Sequence, residues 1–152
     1  MNSTGHAAAE ISIRIADPSE YETLGVLYRA WGYRAGITPG SVVFAAMLGA
    51  ETVGLVRRTI EDDTTMLRGM YIHPEHRRRG IGTQLLTAFV ADLGDADCYC
   101  IPFTHLVSFY GQSGFRVFPE SAAPAFLRER LAVYRAEGRD MLVMRRPRSA
   151  AN

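Results

Sequence analysis

A mixed α/β fold, of the α+β kind, is what the sequence predicts, and three observations carry it. Runs with strand character alternate with runs whose apolar residues recur at helical spacing. One strand-like run, Thr64 to Ile72, passes through a cationic glycine loop into an amphipathic helix, a crossover long enough to bring the chain back to a parallel neighbour. The chain has 152 residues, of which 47% are hydrophobic, which suits one domain over 1–152 with a single core and leaves no room for a second.

Ser12 to Ala16 predicts the first strand. Asp17-Pro18 then marks a helix start, because an aspartate side chain accepts from free N–H groups and proline fits the first turn. Tyr21, Leu24, Leu27, Tyr28 and Trp31 share one side of that helix, which ends near Gly32. Val42 to Leu48 and Thr52 to Arg58 are apolar runs around Gly49-Ala50-Glu51 and read as a hairpin. Thr64 to Ile72 adds a strand that His73-Pro74 stops, since proline has no N–H for the ladder.

Leu85, Leu86, Phe89 and Leu93 form the apolar stripe of the next helix. Asp97 to Pro102 is a short strand with Cys98 and Cys100 on one face, too few ligands for a metal site, so both are expected to be reduced packing residues. His105 to Gln112 reads as a short helix ending near Gly114, and Phe115 to Phe118 as a strand. Pro124 to Glu137 is a helix with Leu127, Leu131 and Tyr134 at i, i+4 and i+7, and Arg139 to Arg146 is the last strand. The ends, 1–9 and 147–152, read as flexible tails.

A net charge of +1 argues against a general nucleic-acid or membrane partner. No run approaches the roughly 18 apolar residues that a bilayer span needs, and the first residues lack a basic-then-apolar pattern, so a cytoplasmic location is expected. The basic character is local and entirely arginine: all 17 Lys plus Arg residues are Arg.

Three of those arginines stand in Arg77-Arg78-Arg79-Gly80-Ile81-Gly82-Thr83. The two glycines let successive N–H groups turn toward one anion, and the following helix start adds partial positive charge. Such a segment suits a pyrophosphate. It is no nucleotide-hydrolysing P-loop, because the chain has no lysine, and no dinucleotide fingerprint, because Leu85 stands at the third glycine place.

Arg77, Gly80 and Gly82 following Met70-Tyr71-Ile72-His73-Pro74-Glu75 resemble the acyl-CoA loop of the GNAT family of N-acetyltransferases, and Phe109-Tyr110-Gly111-Gln112-Ser113-Gly114-Phe115 resembles that family's second diagnostic stretch. The likeness runs from Ile11 to Arg146 and is specific at 66–86 and 105–115. It implies a mostly antiparallel mixed sheet, flanked by helices, whose strands near 66–72 and 98–102 run parallel and splay apart around acetyl-CoA. It further implies that Arg77, Arg78, Arg79, Gly80, Ile81, Gly82 and Thr83 hold the pyrophosphate and that Met70, Tyr71 and Ile72 hold the pantetheine arm.

The implied reaction is direct attack of an amine on the thioester, which needs a neutral nucleophile and a donor for the departing thiolate. Tyr110 matches the family's donor, with simple packing on the pantetheine as the alternative. Relatives often carry a carboxylate on the strand before the loop, but 64–72 has none, with Thr65 and Arg68 there. A base is therefore sought in His73, in His105, or in water relaying to Glu22 or Glu61. Phe103 stands where several relatives have an asparagine and is expected to be a core aromatic, with a wall of the acceptor pocket as the alternative.

On the acceptor side the resemblance points to the first helix and the loop after it. Trp31, Tyr33 and Arg34, with Phe44, suit a small-molecule amine bearing an apolar or anionic group. The helix at 124–137 and the last strand offer a possible homodimer surface, although a helix covering its own sheet would give the same pattern. Two other classes fit parts of the sequence: a non-catalytic acyl-CoA sensor, and a nucleic-acid binder using Arg77 to Arg79 on phosphates.

Overall fold

Local signals in the sequence become elements in a computed structural model that describes residues 10–148. The expected tail at 1–9 and positions 149–152 of the one expected at 147–152 lie outside the described residues, while Pro147 and Arg148 are exposed and irregular. Strand β1 (Ile11–Ile15) leads into a capped 3-10 turn, Pro18–Glu20, and helix α1 (Tyr21–Ala30). There Asp17 accepts from the Ser19 N–H and Glu20 reaches back to the Asp17 N–H, a reciprocal cap, while Arg14 holds Glu20 through bonds of 2.6 and 2.9 Å. These bonds hold the Glu20 carboxyl down at about 2, with the Arg14 hydrogen bond as the main cause.

Strands β2 (Val42–Leu48), β3 (Glu51–Glu61) and β4 (Thr64–Ile72) follow, then helix α2 (Ile81–Leu93) and strand β5 (Cys98–Cys100). Helix α3 (Val107–Gly111), strand β6 (Arg116–Val117), helix α4 (Ala125–Ala136) and strand β7 (Met144–Arg146) complete the chain. The strands form one seven-stranded sheet in the order β1-β2-β3-β4-β5-β7-β6. It is mostly antiparallel, and β4 pairs β5 in parallel through Met66↔Tyr99. The last strand is interior, lying between β5 and β6.

β3 runs three residues beyond the expected end at Arg58. Asp62 and Asp63, with φ of 52° and 59°, make a two-residue turn into β4. Both central residues in the left-handed region is the geometry whose twist matches antiparallel strands, and aspartate tolerates it better than most side chains. Other elements shrink relative to expectation: β5, β6 and β7 keep only the residues that pair, and Thr104–Leu106 is a 3-10 turn ahead of α3.

The described chain forms two compact units, 10–57 with 69–88, and 58–68 with 89–148. In the first, Leu24, Tyr28 and Trp31 of the α1 side pack with Val43, Ala45, Met47 and Leu55, and Tyr21 and Leu27 lie half-buried against them. On the other side of β3, a Cβ at Gly54 would come within 2.9 Å of Ile72, 3.1 Å of Leu85 and 3.2 Å of Ile81, so glycine there sets how closely α2 approaches. In the second unit, Leu131 of α4 joins Ala123, Met141 and Val143, with Tyr99, Ile101, Phe118 and Tyr134 against them. Leu127 of the same helix is buried too.

Cys98 and Cys100 are buried free thiols, as their pattern predicts. Burial pushes the Cys98 thiol up to about 12 and raises that of Cys100 well above its ordinary value. Among the described residues there is no group of side chains able to hold a metal ion, and no helix is long and apolar enough to cross a membrane.

Candidate active site

Where β4 ends, the chain is tied down before it turns. The His73 N–H donates to the Val53 carbonyl at 2.8 Å, and His73 Nδ1 accepts from the Glu75 N–H at 3.0 Å, capping a 3-10 turn at Pro74–His76. Arg78 and Gly80 follow with φ of 67° and 77°, and the first helical bond closes from Gln84 N–H to Gly80 O at 3.1 Å. The amides of Ile81, Gly82 and Thr83 precede that bond and are left for an external acceptor. Left-handed backbone costs a non-glycine residue such as Arg78 about 1 kcal/mol or more.

Arg77, Arg78, Arg79 and Gly80 are exposed. Arg77 Nε donates to the Ile72 carbonyl at 3.3 Å, its guanidinium sits 5.1 Å over the Tyr71 ring, and Arg79 lies 3.5 Å from His76 Nδ1. Among the described residues no carboxylate pairs with any of the three. The charge of the loop is therefore not neutralised within the described residues.

The residues expected on the acceptor side divide. Trp31 is buried, edge-on to His73 at 5.7 Å. Tyr33 is half-buried, 4.6 Å from Tyr28 and 5.9 Å from Tyr71. Phe44 is buried in the core, and Arg34 is exposed rather than gathered with the aromatics. The arginine that does meet them is Arg57 of β3, only 1% exposed. Its Nη2 donates to the Tyr33 hydroxyl at 2.9 Å, and its guanidinium lies 5.8 Å from both the Tyr28 and Tyr33 rings.

Beside it the backbone of β4 turns left-handed. Gly69 has a φ of 65°, its carbonyl accepts from the Tyr28 hydroxyl at 2.8 Å, and a Cβ there would lie 2.7 Å from that hydroxyl and 3.1 Å from Arg57 Nε. Sequence reasoning missed this cluster. Its one legible sign is an arginine at an inward position of an otherwise apolar strand, Val53-Gly54-Leu55-Val56-Arg57.

The second unit carries Tyr110 and His105. Tyr110 is buried against Phe109 and Phe115, at ring distances of 4.9 and 5.9 Å, and burial pushes its hydroxyl well above the ordinary range. His105 is exposed and stacks on Phe103 at 5.8 Å. Phe103 is not the core aromatic expected: it is 40% exposed, its backbone bridged to Met141 while its ring faces outward with His105.

Two candidate bases are occupied. Burial raises the Glu61 carboxyl, but hydrogen bonds from Arg130 at 2.6 Å and Thr59 at 2.8 Å, with Arg68 and Arg130 charges, bring it below its ordinary value. With Nδ1 accepting from Glu75, neutral His73 carries its proton on Nε2 and has no lone pair to spare. Glu22 is exposed.

A family model described as an acetyltransferase (GNAT) domain matches residues 39–117. Comparison with curated proteins returned no match. Among solved structures, the ribosomal-protein-S18-alanine N-acetyltransferase from Escherichia coli is similar at a TM-score of 0.68 and 14% identity, over 94% of this chain and 97% of that one. An acetyltransferase from Thermus thermophilus has a TM-score of 0.59 and 19% identity over 92% of this chain and 98% of that one. N-acetylglutamate synthase from Neisseria gonorrhoeae, complexed with coenzyme A and N-acetyl-glutamate, has a TM-score of 0.67 and 16% identity over 93% of this chain. The present chain spans 36% of that synthase's length. Likeness at these identities is likeness of fold.

Proposed function

We propose, from the premise that the chain belongs to the GNAT acetyltransferase family, that it acetylates a primary amine of a small molecule. Acyl transfer from acyl-CoA to an amine is the family's reaction, and acetyl-CoA is the co-substrate; the small acceptor is our reading. The observation that carries it is the exposed, carboxylate-free arginine loop running into the open amides of α2. One domain over 1–152, a cytoplasmic location and a possible homodimer go with this reading as proposals.

On this reading the amides of Ile81, Gly82 and Thr83 point at the pyrophosphate, and the Arg77, Arg78 and Arg79 side chains neutralise it. The backbone of Met70, Tyr71 and Ile72 takes the pantetheine arm as a strand takes a neighbour. A neutral amine adds to the thioester carbonyl, and the C–S bond breaks as the carbonyl re-forms. Tyr110 donates its O–H toward the departing sulfur. A phenol is protonated at neutral pH and burial raises Tyr110 further, so it stabilises the thiolate by a hydrogen bond as charge develops rather than by giving up its proton. The ammonium proton leaves to water, with His105 as the exposed imidazole able to take it, since His73 and Glu61 are engaged.

A non-catalytic acyl-CoA sensor is the second reading, favoured by the lack of any Asp or Glu in β4. Thiol release from acetyl-CoA, measured against a panel of primary amines, separates the two. The buried Cys98 and Cys100 should add no background to a thiol reagent. Amine-dependent release supports the enzyme, CoA binding without release for any amine supports the sensor, and no CoA binding overturns both.

A further inference from the structure

Arg57 is a charge left without a counter-ion where one is most needed. Arg58, Arg68, Arg130 and Arg145 are each more exposed, and each meets an aspartate or glutamate. Arg57 is 1% exposed, its hydrogen bond goes to a neutral phenol, and its Nε is buried with no partner at all. A guanidinium taken out of water without a carboxylate is costly, and the two tyrosine faces beside it recover only part of that cost. A buried cation with no counter-ion marks a candidate site for a ligand's anion.

The orphan atom also has a direction. Arg57 Nε is 3.1 Å from where a Cβ of Gly69 would stand, and the Tyr28 and Tyr33 hydroxyls are 2.7 and 3.2 Å from the same point, so the orphan nitrogen lies with two hydroxyls on the side-chain-free face of Gly69. Gly69 is half-buried and adjoins Met70, the first residue of the stretch we assign to the pantetheine arm. Tyr33, whose hydroxyl accepts from Nη2, has its own proton to give to the same anion, and its half-buried ring reaches outward to Tyr71.

We propose that Arg57 is the carboxylate-binding residue of the acceptor site, so that the acceptor is an amino acid or another amine carrying a carboxylate. A carboxylate takes two parallel N–H bonds from a guanidinium edge, and an uncharged amide of the same shape cannot replace it. This inference rests on the acetyltransferase reading and gives it a substrate class. It moves the anion-binding role from the exposed Arg34 to a residue the chain has buried.

The test pairs acids with their amides. N-acetyl-amino acids, as product-like probes, and the matching N-acetyl-amino acid amides are titrated into the protein with and without CoA. Free amino acids and their amides are run as acceptors in the thiol-release assay. Wild type should favour acids by about tenfold or more, the size of a charge-assisted bond pair. Arg57→Gln should erase that preference with CoA affinity within about twofold of wild type, and Arg57→Lys should keep part of it. Should Arg57→Gln not fold, Tyr33→Phe must still narrow the gap. Acids and amides bound equally by wild type, or a preference that survives Arg57→Gln, would overturn the assignment. Failure of the acetyltransferase reading shows separately, as absent CoA binding or release, and the acid-over-amide comparison without CoA is decided independently of it.

Discussion

Arg77 to Arg79 and Arg57 are the same side chain in opposite settings. The three loop arginines are exposed, cost nothing to keep charged, and advertise themselves through glycines at fixed spacing. Arg57 is sunk between two tyrosines with one nitrogen unpaired, and its spacing in the sequence says nothing. A solvated cation can serve any phosphate that reaches it, whereas a buried one is selective because it tolerates only the anion that fits. On this account the common co-substrate is held by the exposed set and the particular acceptor by the buried one.

Breaking the exposed set should have the largest effect. Gly82→Asp puts a carboxylate among the amides meant for the pyrophosphate, and thiol release at fixed acetyl-CoA should fall on the order of 100-fold or more. Tyr110→Phe lies in neither arginine set and should lower kcat by about 10- to 100-fold with the KM for acetyl-CoA little changed, the pattern of a donor used only as the thiolate forms.

Gly69→Ala tests the geometry around the buried arginine. The new Cβ would stand 2.7 Å from the Tyr28 hydroxyl at a φ of 65°, and denaturant unfolding should show a loss of about 1–3 kcal/mol. Loss below that range would mean that Tyr28 and Arg57 are held less firmly than these distances imply.

The loop was legible because its chemistry depends on glycines, a proline and charge at short range, all of which survive in a linear sequence. For the same reason β4 has its expected bounds, Thr64–Ile72, and α2, Ile81–Leu93, carries the apolar stripe expected after the loop. The cluster around Tyr33 was legible only in part. Trp31, Tyr33 and Arg34 are neighbours in sequence and so can be read together, while Arg57 joins Tyr33 from 24 positions away and leaves no such sign. Phe103 shows the same limit: aromatic character suggests burial, while the ring is 40% exposed and stacks on His105.

Smaller effects sharpen the contrast. Stability should decline as pH rises above about 9, because the unfolded thiols ionise near 9.0 whereas folded Cys98 ionises at about 12. A raised folded pKa leaves stability intact below the unfolded value and loses it across that window. Thermal melts of Cys98→Ala should be flatter over the same range. Arg78→Ala should weaken acetyl-CoA by only a few-fold, with the deficit shrinking as salt is raised, since Arg78 is exposed.

Calorimetric titration of acetyl-CoA into wild type, Gly82→Asp and Arg57→Gln, side by side, asks most directly whether the exposed loop alone holds the co-substrate. The account predicts that wild type and Arg57→Gln bind alike and that Gly82→Asp shows no measurable heat. Equal binding by Gly82→Asp, or the same loss in Arg57→Gln, would contradict it.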